Sequence, residues 1–138
     1  MVRVTDGQES REILVKCRRE LVGGRVENVH QSDEHSLVVS VYARSRGKRF
    51  LFLCARPRLT RFHLLSTRPA ALSRPPVFCE VVRKRLKGRF LLGVRAPGNG
   101  LGVELRFAEK PTGGSSRSAL DLALRLDGAL RGLMLLQP

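Results

Sequence analysis

The chain has 138 residues, enough for one ordinary domain, and 42% of them are hydrophobic, which suffices for a buried core. It carries 26 Lys and Arg against 12 Asp and Glu, which gives a formal net charge of +14. No apolar N-terminal segment and no run of about 18 apolar residues is present, so we expect neither a signal peptide nor a membrane span. A surface this basic favours a polyanionic partner, usually nucleic acid, although an Arg-rich composition can also reflect a genome rich in G and C.

The cysteines point to a reducing compartment. Cys17, Cys54 and Cys79 are odd in number and show no CxxC spacing. In a chain without secretory features this pattern predicts free thiols in the cytoplasm.

The first half of the chain predicts one helix and a meander of strands. The helix covers residues 10–22, and Gly23 ends it. Its buried side is predicted to be Ile13, Leu14, Cys17 and Leu21. Alternating and β-branched segments then predict antiparallel strands on short loops at 25–31, 36–44, 49–55 and 61–65.

The second half begins with a helix over residues 75–89, opened by two prolines and closed by Gly88. Its apolar side is predicted to be Phe78, Val81, Val82 and Leu86. Two strands, a short helix and a last strand are expected at 90–94, 103–107, 119–126 and 130–136. The fold class is therefore α+β, an antiparallel β-meander or sandwich packed with about three helices.

Catalytic and metal motifs are not found. The three histidines, His30, His35 and His63, have no helical i, i+4 pairing, and neither HExxH nor CxxC occurs. The glycine-rich segment 98–102 lies between two predicted strands, so we interpret it as a hairpin turn and not as a phosphate-binding loop. We therefore expect no enzyme activity, no cofactor and no small-molecule substrate.

Basic clusters are the remaining candidates for function. They surround two turns and the end of the second helix. If the fold joins them, they form a cationic face suited to phosphates; otherwise each is a separate solvated face. The candidate RNA-binding residues are Arg25, Arg46, Lys48, Arg49, Arg58, Arg61, Arg83, Lys84, Arg85, Lys87 and Arg89.

The spacing of several motifs resembles the N-terminal domain of the NFACT family, the ribosome quality-control factors once described as fibronectin-binding proteins. The similarity covers about residues 5–136, with Asp6-Gly7 before the first helix, L-x-G-G-R ending that helix, and P-P-x-F-C followed by R-K-x-L-x-G-R in the second helix. The matching positions are Gly23, Gly24, Arg25, Gln31, His63, Leu64, Pro75, Pro76, Phe78, Cys79, Arg83, Lys84, Leu86, Gly88 and Arg89.

The resemblance implies a non-catalytic module that binds the large ribosomal subunit and tRNA at stalled ribosomes. It also implies a fold like the N-terminal domain of the formamidopyrimidine-DNA glycosylases. Those enzymes use an N-terminal proline amine and the glutamate after it. Here Val2 and Arg3 follow Met1, so glycosylase chemistry is not expected.

Two departures from the family pattern qualify these expectations. The family carries an Asp-Arg pair implicated in tRNA handling, and the corresponding residues here are Gly100 and Leu101. The family's coiled coil and C-terminal domain are absent from the 138 residues, so the chain is expected to be a partial domain, and a separately encoded remainder is a candidate partner. The alternative is a degenerate protein-interaction module that keeps the fold without binding tRNA.

Overall fold

The computed structural model describes residues 7–43, 46–56, 61–72, 76–96, 103–109, 122–127 and 132–136. Within these residues, two helices, α1 (Gly7–Leu21) and α2 (Val77–Leu86), accompany eight strands. The predicted α+β class is confirmed. The strands are β1 (Arg25–Asp33), β2 (Ser36–Ala43), β3 (Gly47–Cys54), β4 (Arg61–Leu65), β5 (Phe90–Arg95), β6 (Val103–Ala108), β7 (Leu122–Asp127) and β8 (Gly132–Leu136).

All eight strands belong to one antiparallel sheet in the order β4-β3-β2-β1-β5-β6-β7-β8. Each half of the chain is therefore a helix followed by a four-stranded meander. The two meanders run outward from a central pair, β1 and β5. Of the two predicted arrangements, meander or sandwich, the structure shows meanders within a single sheet.

The short helix predicted at 119–126 is wrong over its described part, because residues 122–127 form β7 between β6 and β8. Leu122, Leu124 and Leu126 alternate with other residues, which is the period of a strand. The free edge of β6 also gives this segment backbone partners that an amphipathic helix would not use. Residues 119–121 lie outside the described part of the chain.

The sheet curls around α1. This helix contacts both β4 and β5, which are separated in the sheet by three strands. Leu14, Cys17 and Leu21 are buried on its inner side, as predicted. They join one core with alternate residues of the strands, such as Val39 and Leu51, so the concave face of the sheet carries the hydrophobic packing.

The predicted apolar face of α2 is confirmed at Val82 and Leu86 and wrong at Phe78 and Val81. Cys79, Val82 and Leu86 are buried, whereas Phe78 and Val81 are 38% and 45% exposed. Cys79 is small and apolar enough to lie directly against β1, where its Sγ is 3.9 Å from the Val29 carbonyl oxygen. This contact turns Phe78 and Val81 toward solvent.

The two halves are joined by four backbone hydrogen bonds in a reciprocal pattern. After α1, the Gly23 N–H donates to Leu91 O at 2.8 Å and the Leu91 N–H donates to Gly24 O at 2.9 Å. After α2, the Gly88 N–H donates to Val26 O and the Val26 N–H donates to Arg89 O, both at 2.8 Å. Gly23 and Gly88 have φ of +91° and +88°, a region that non-glycine residues rarely adopt.

Beyond this junction β1 separates from β5, and only Arg25 and Phe90 pair between them. The exposed backbone edge of β1 finds other partners. Arg83 Nε donates to the Val29 carbonyl at 2.6 Å, and the Leu72 N–H donates to the Gln31 carbonyl at 2.8 Å. The helix α2 is therefore fixed to β1 by a side-chain hydrogen bond as well as by apolar packing.

We predict that Gly24→Ala destabilises the fold. A Cβ at this position would lie 2.6 Å from Val41 Cγ1 and 2.9 Å from the Leu21 carbonyl oxygen, so the Val41 side chain and the end of α1 must both shift. We expect a loss of about 1–3 kcal/mol in the free energy of unfolding, measured by urea denaturation.

Gly93→Ala is the matched control, because a Cβ there meets no atom within 4 Å. It should change the free energy of unfolding by no more than about 0.5 kcal/mol. Equal urea midpoints for the two variants would contradict the steric argument at Gly24.

Candidate nucleic-acid interface

A cross-strand row of exposed side chains lies at the junction end of the sheet. Arg25 of β1 pairs with Tyr42 of β2, which pairs with Lys48 of β3. Directly opposed residues of antiparallel strands project from the same face, so the three side chains share one surface. Arg25 and Lys48 are exposed, Tyr42 is 45% exposed, and two strand spacings of roughly 10 Å separate the two cations.

The end of α2 brings further cations to this row. Arg25 Nη2 is 3.8 Å from the position that a Cβ on Gly88 would occupy, so its guanidinium lies against the turn that follows α2. Arg89 Nε donates to the Arg85 carbonyl at 2.8 Å, which holds the Arg89 side chain back along the helix. The turn before β3 adds an exposed Arg46. We call the combined surface the cationic rim; it comprises Arg25, Arg46, Lys48, Lys84, Arg85, Lys87 and Arg89.

Glu27 is an acidic neighbour of the rim. Lys48 Nζ is 3.5 Å from Glu27 Oε1, and both side chains are substantially exposed. Exposed pairs of this kind contribute about 0–1 kcal/mol, so a phosphate can replace the carboxylate at little cost. The rim therefore presents a positive field to solvent.

Three predicted residues lie elsewhere or have partners within the fold. Arg49 projects toward α1, where its Nε donates to Glu20 Oε1 at 3.1 Å. Arg83 is held by its bond to Val29 O. Arg61 lies over the Phe52 ring, 5.6 Å from its centroid, at the opposite end of β3 and about 20 Å along the strand from Lys48.

Arg58 and the Gly100-Leu101 pair lie outside the described residues.

Comparison with known proteins identifies the family. Residues 6–120 match the family model described as the NFACT N-terminal and middle domains. The chain belongs to the NFACT family. The resemblance predicted from the glycine-terminated helices and the P-P-x-F-C segment is confirmed.

Curated NFACT relatives are much longer than this chain. It is 27% identical over 93 residues to the Rqc2 homolog RqcH of Bacillus subtilis, covering 67% of this chain and 16% of that protein. It is 30% identical over 105 residues to the Rqc2 homolog RqcH of Streptococcus pneumoniae, covering 76% of this chain and 19% of that protein.

Solved NFACT structures show the same fold. The N-terminal domain of the fibronectin-binding protein PavA from Streptococcus pneumoniae aligns with a TM-score of 0.78 and 25% identity, over 96% of this chain and 49% of that one. The fibrinogen-binding protein of Staphylococcus aureus aligns with a TM-score of 0.70 and 23% identity, over 96% and 46% of the two chains.

The position of Tyr42 between two cations was not predicted from the sequence. The signal that could have indicated it was the alternation of β2, in which Val39 and Val41 face the core and Tyr42 faces outward.

An ion pair between β5 and β6 was also not predicted from the sequence. Glu104 is buried in β6 and accepts a 2.8 Å hydrogen bond from Arg95 Nε across the β5–β6 pair. This pair stabilises the second meander.

The described residues contain no group of three His, Cys, Asp or Glu side chains that could hold a metal ion. Cys17, Cys54 and Cys79 are free and buried, and burial raises the pKa of Cys17 to about 12, so its thiolate is scarce at neutral pH. Neither described helix is long and apolar enough to cross a membrane.

A cavity of about 440 Å³ lies at the opposite end of the β1–β2 hairpin from the rim. Leu37, Leu72 and Phe78 contribute apolar surface, and Glu34 and His35 contribute polar groups. The cavity holds none of the rim cations, so it is not part of the candidate interface.

We predict that Arg83→Met destabilises the domain, whereas Lys84→Met does not. The first substitution leaves the Val29 carbonyl without its 2.6 Å donor and should cost about 1–3 kcal/mol in the free energy of unfolding. Lys84 is exposed one residue further along α2, so its replacement should change that energy by less than about 0.5 kcal/mol. Urea denaturation of both variants measures the difference; equal losses would mean that Arg83 is not a structural residue.

We predict that His30 makes the fold less stable in mild acid. Burial lowers the pKa of His30, and the Arg68 and Arg83 charges act in the same direction, against the hydrogen bond with Pro69 O. Nε2 donates that bond at 3.1 Å, which leaves Nδ1 buried without a partner. Below the ordinary pKa of 6.5 the unfolded chain binds a proton that the fold excludes, so stability falls as pH decreases from 6.5 toward the lowered pKa.

The measurement compares urea midpoints at neutral and mildly acidic pH for the native chain and His30→Gln. Gln retains an N–H donor for Pro69 but does not titrate, so its midpoint should vary less with pH. An identical pH dependence in both proteins would exclude His30 as the cause.

Proposed function

We propose that this chain is a non-catalytic RNA-binding module of ribosome quality control. Its ligand is the phosphate backbone of ribosomal RNA in the large subunit, of tRNA, or of both. The family assignment supports the process, and the cationic rim supports the chemistry. A cytoplasmic location fits three reduced, buried thiols.

The convergence of cations from three separate elements carries this proposal. Arg25 begins β1 and Lys48 is the second residue of β3. Lys84 and Arg85 lie in the last turn of α2, and Lys87 and Arg89 follow it. These segments are distant in sequence, and the junction between the two meanders brings them to one end of the sheet. Lys and Arg that neutralise several phosphates together release counterions, which provides affinity that is largely independent of sequence.

The Rqc2 homologs support the choice of ribosomal RNA and tRNA as the polyanions. The chain covers only 16% and 19% of the curated relatives' length, so it would supply one binding surface of a larger activity. A separately encoded remainder of the protein is a further candidate partner.

A protein-interaction module is the second candidate, and the outer surface of α2 favours it. Val77 is 76% exposed, and Phe78 and Val81 beside it are also exposed. Clustered apolar side chains on a surface are typical of contact with another polypeptide. This alternative keeps the fold without any RNA role.

We expect the chain to bind tRNA or the isolated large subunit more tightly than heparin at near-physiological salt. Heparin has charge but neither nucleotides nor the shape of an RNA helix, so it measures generic polyanion binding. The affinity for RNA should fall steeply with salt. The slope of log affinity against log salt concentration is proportional to the number of phosphates neutralised. Equal affinity for RNA and heparin would reject a specific RNA role and favour the second candidate.

A triple charge reversal tests the rim. Lys84→Glu, Arg85→Glu and Lys87→Glu change exposed side chains only, so the domain should remain folded. We expect at least about a tenfold loss of RNA affinity and a shallower salt dependence.

The matched control reverses Arg11, Lys16 and Arg19, which are exposed together on the outer side of α1. It changes the net charge by the same amount but leaves the rim intact. Similar losses in the two triple variants would show that net charge and not the rim determines binding.

A further inference from the structure

We propose that Tyr42 is a base-stacking platform and that the rim binds a polynucleotide through an unpaired base. This inference rests on the proposed RNA-binding function and deepens it, because it names the structural class of nucleic acid that the rim takes. It assigns the central role to an aromatic residue that lies between two cations.

The position of Tyr42 is the first observation. Every other residue of β2 is buried, whereas Tyr42 is 45% exposed. An aromatic ring at the end of a strand could gain stability by turning into the core, but the core-facing residue beside it is Val41. The Tyr42 ring therefore stands on the outer surface of the sheet, where its polar hydroxyl is compatible with water.

The flanking charges are the second observation. Arg25 pairs with Tyr42 from one side and Lys48 pairs with it from the other. The distance of roughly 10 Å between the two outer strands leaves room for a planar base above the ring, with backbone phosphates on either side. A cationic groove that follows the backbone, with an aromatic ring under a base, is the arrangement by which proteins bind single-stranded nucleic acid.

Duplex RNA does not use such a site well. Its bases are already stacked, and its recognition depends mainly on shape and on contacts with phosphates and 2′-hydroxyls. A ring that stacks on a base therefore separates unpaired from paired RNA, whereas the surrounding cations attract both. Loops, bulges and single-stranded ends are the expected ligands.

Equilibrium binding by the full chain tests the proposal with three probes: a single-stranded oligouridylate, an RNA duplex of equal charge, and heparin. Tyr42→Ala should weaken oligouridylate binding by about tenfold or more, since stacking on an aromatic ring is lost. Tyr42→Phe keeps the ring and should stay within about twofold of the native chain. Neither variant should change the affinity for duplex RNA or heparin. Oligothymidylate in place of oligouridylate distinguishes DNA from RNA as the source of the unpaired base.

Intrinsic fluorescence provides a direct readout, because Tyr42 is the only tyrosine of the chain and there is no tryptophan. Oligouridylate should quench the emission of the native chain, whereas heparin at saturation should leave it unchanged. Circular dichroism of each variant checks that the fold is intact.

Two outcomes separate the inference from the proposed function. If the native chain binds oligouridylate and Tyr42→Ala binds it equally well, the stacking platform is wrong while RNA binding stands. If the native chain binds neither RNA probe better than heparin, the proposed function fails and this inference fails with it.

Discussion

The fold depends on the reciprocal backbone hydrogen bonds that join the ends of α1 and α2 to the first residues of β5 and β1. Each helix ends at a glycine with positive φ, which turns the chain directly into the strand that pairs with the other half. Two of these bonds, from Leu91 N–H to Gly24 O and from Val26 N–H to Arg89 O, flank Arg25 and Phe90 and make them the only pair between β1 and β5. Gly24 fits the junction because no side chain has room there against Val41.

The same junction positions the cationic surface. Arg25 and Arg89 each directly follow a junction glycine, so backbone geometry and not side-chain packing determines where they lie. The departure of β1 from β5 then creates unpaired carbonyl groups, and Arg83 satisfies one of them. Arg83 is therefore held within the fold, whereas Lys84, Arg85 and Lys87 are exposed to a ligand. Arg83 therefore differs in role from the Lys and Arg residues that follow it in the sequence, because Arg83 faces the backbone edge of β1.

Much of this arrangement could be predicted from the sequence. The glycine-terminated helices, the first meander and the buried side of α1 follow from local patterns whose periods agree with the tertiary contacts. The face of α2 could be predicted only in part. Val82 and Leu86 were correct, but a contact between Cys79 and β1 outweighed the larger apolar area of Phe78 and Val81. The strand β7 was missed because Leu120 and Leu124 also fit a helical period, and only the open edge of β6 decides between the two. The position of Tyr42 between Arg25 and Lys48 depends on the register of three strands, which cannot be read from the sequence of any one of them.

A surface of seven cations around one end of a small sheet has a cost for stability. Like charges repel, and the carboxylate of Glu27 offsets little of this at an exposed position. The junction hydrogen bonds hold these cations together against that repulsion in the free protein. A bound polyanion removes the repulsion and also favours the folded state by mass action, so occupancy of the rim and stability of the junction should be thermodynamically linked. The junction that joins the two meanders is therefore also the part of the fold that a nucleic-acid ligand would stabilise.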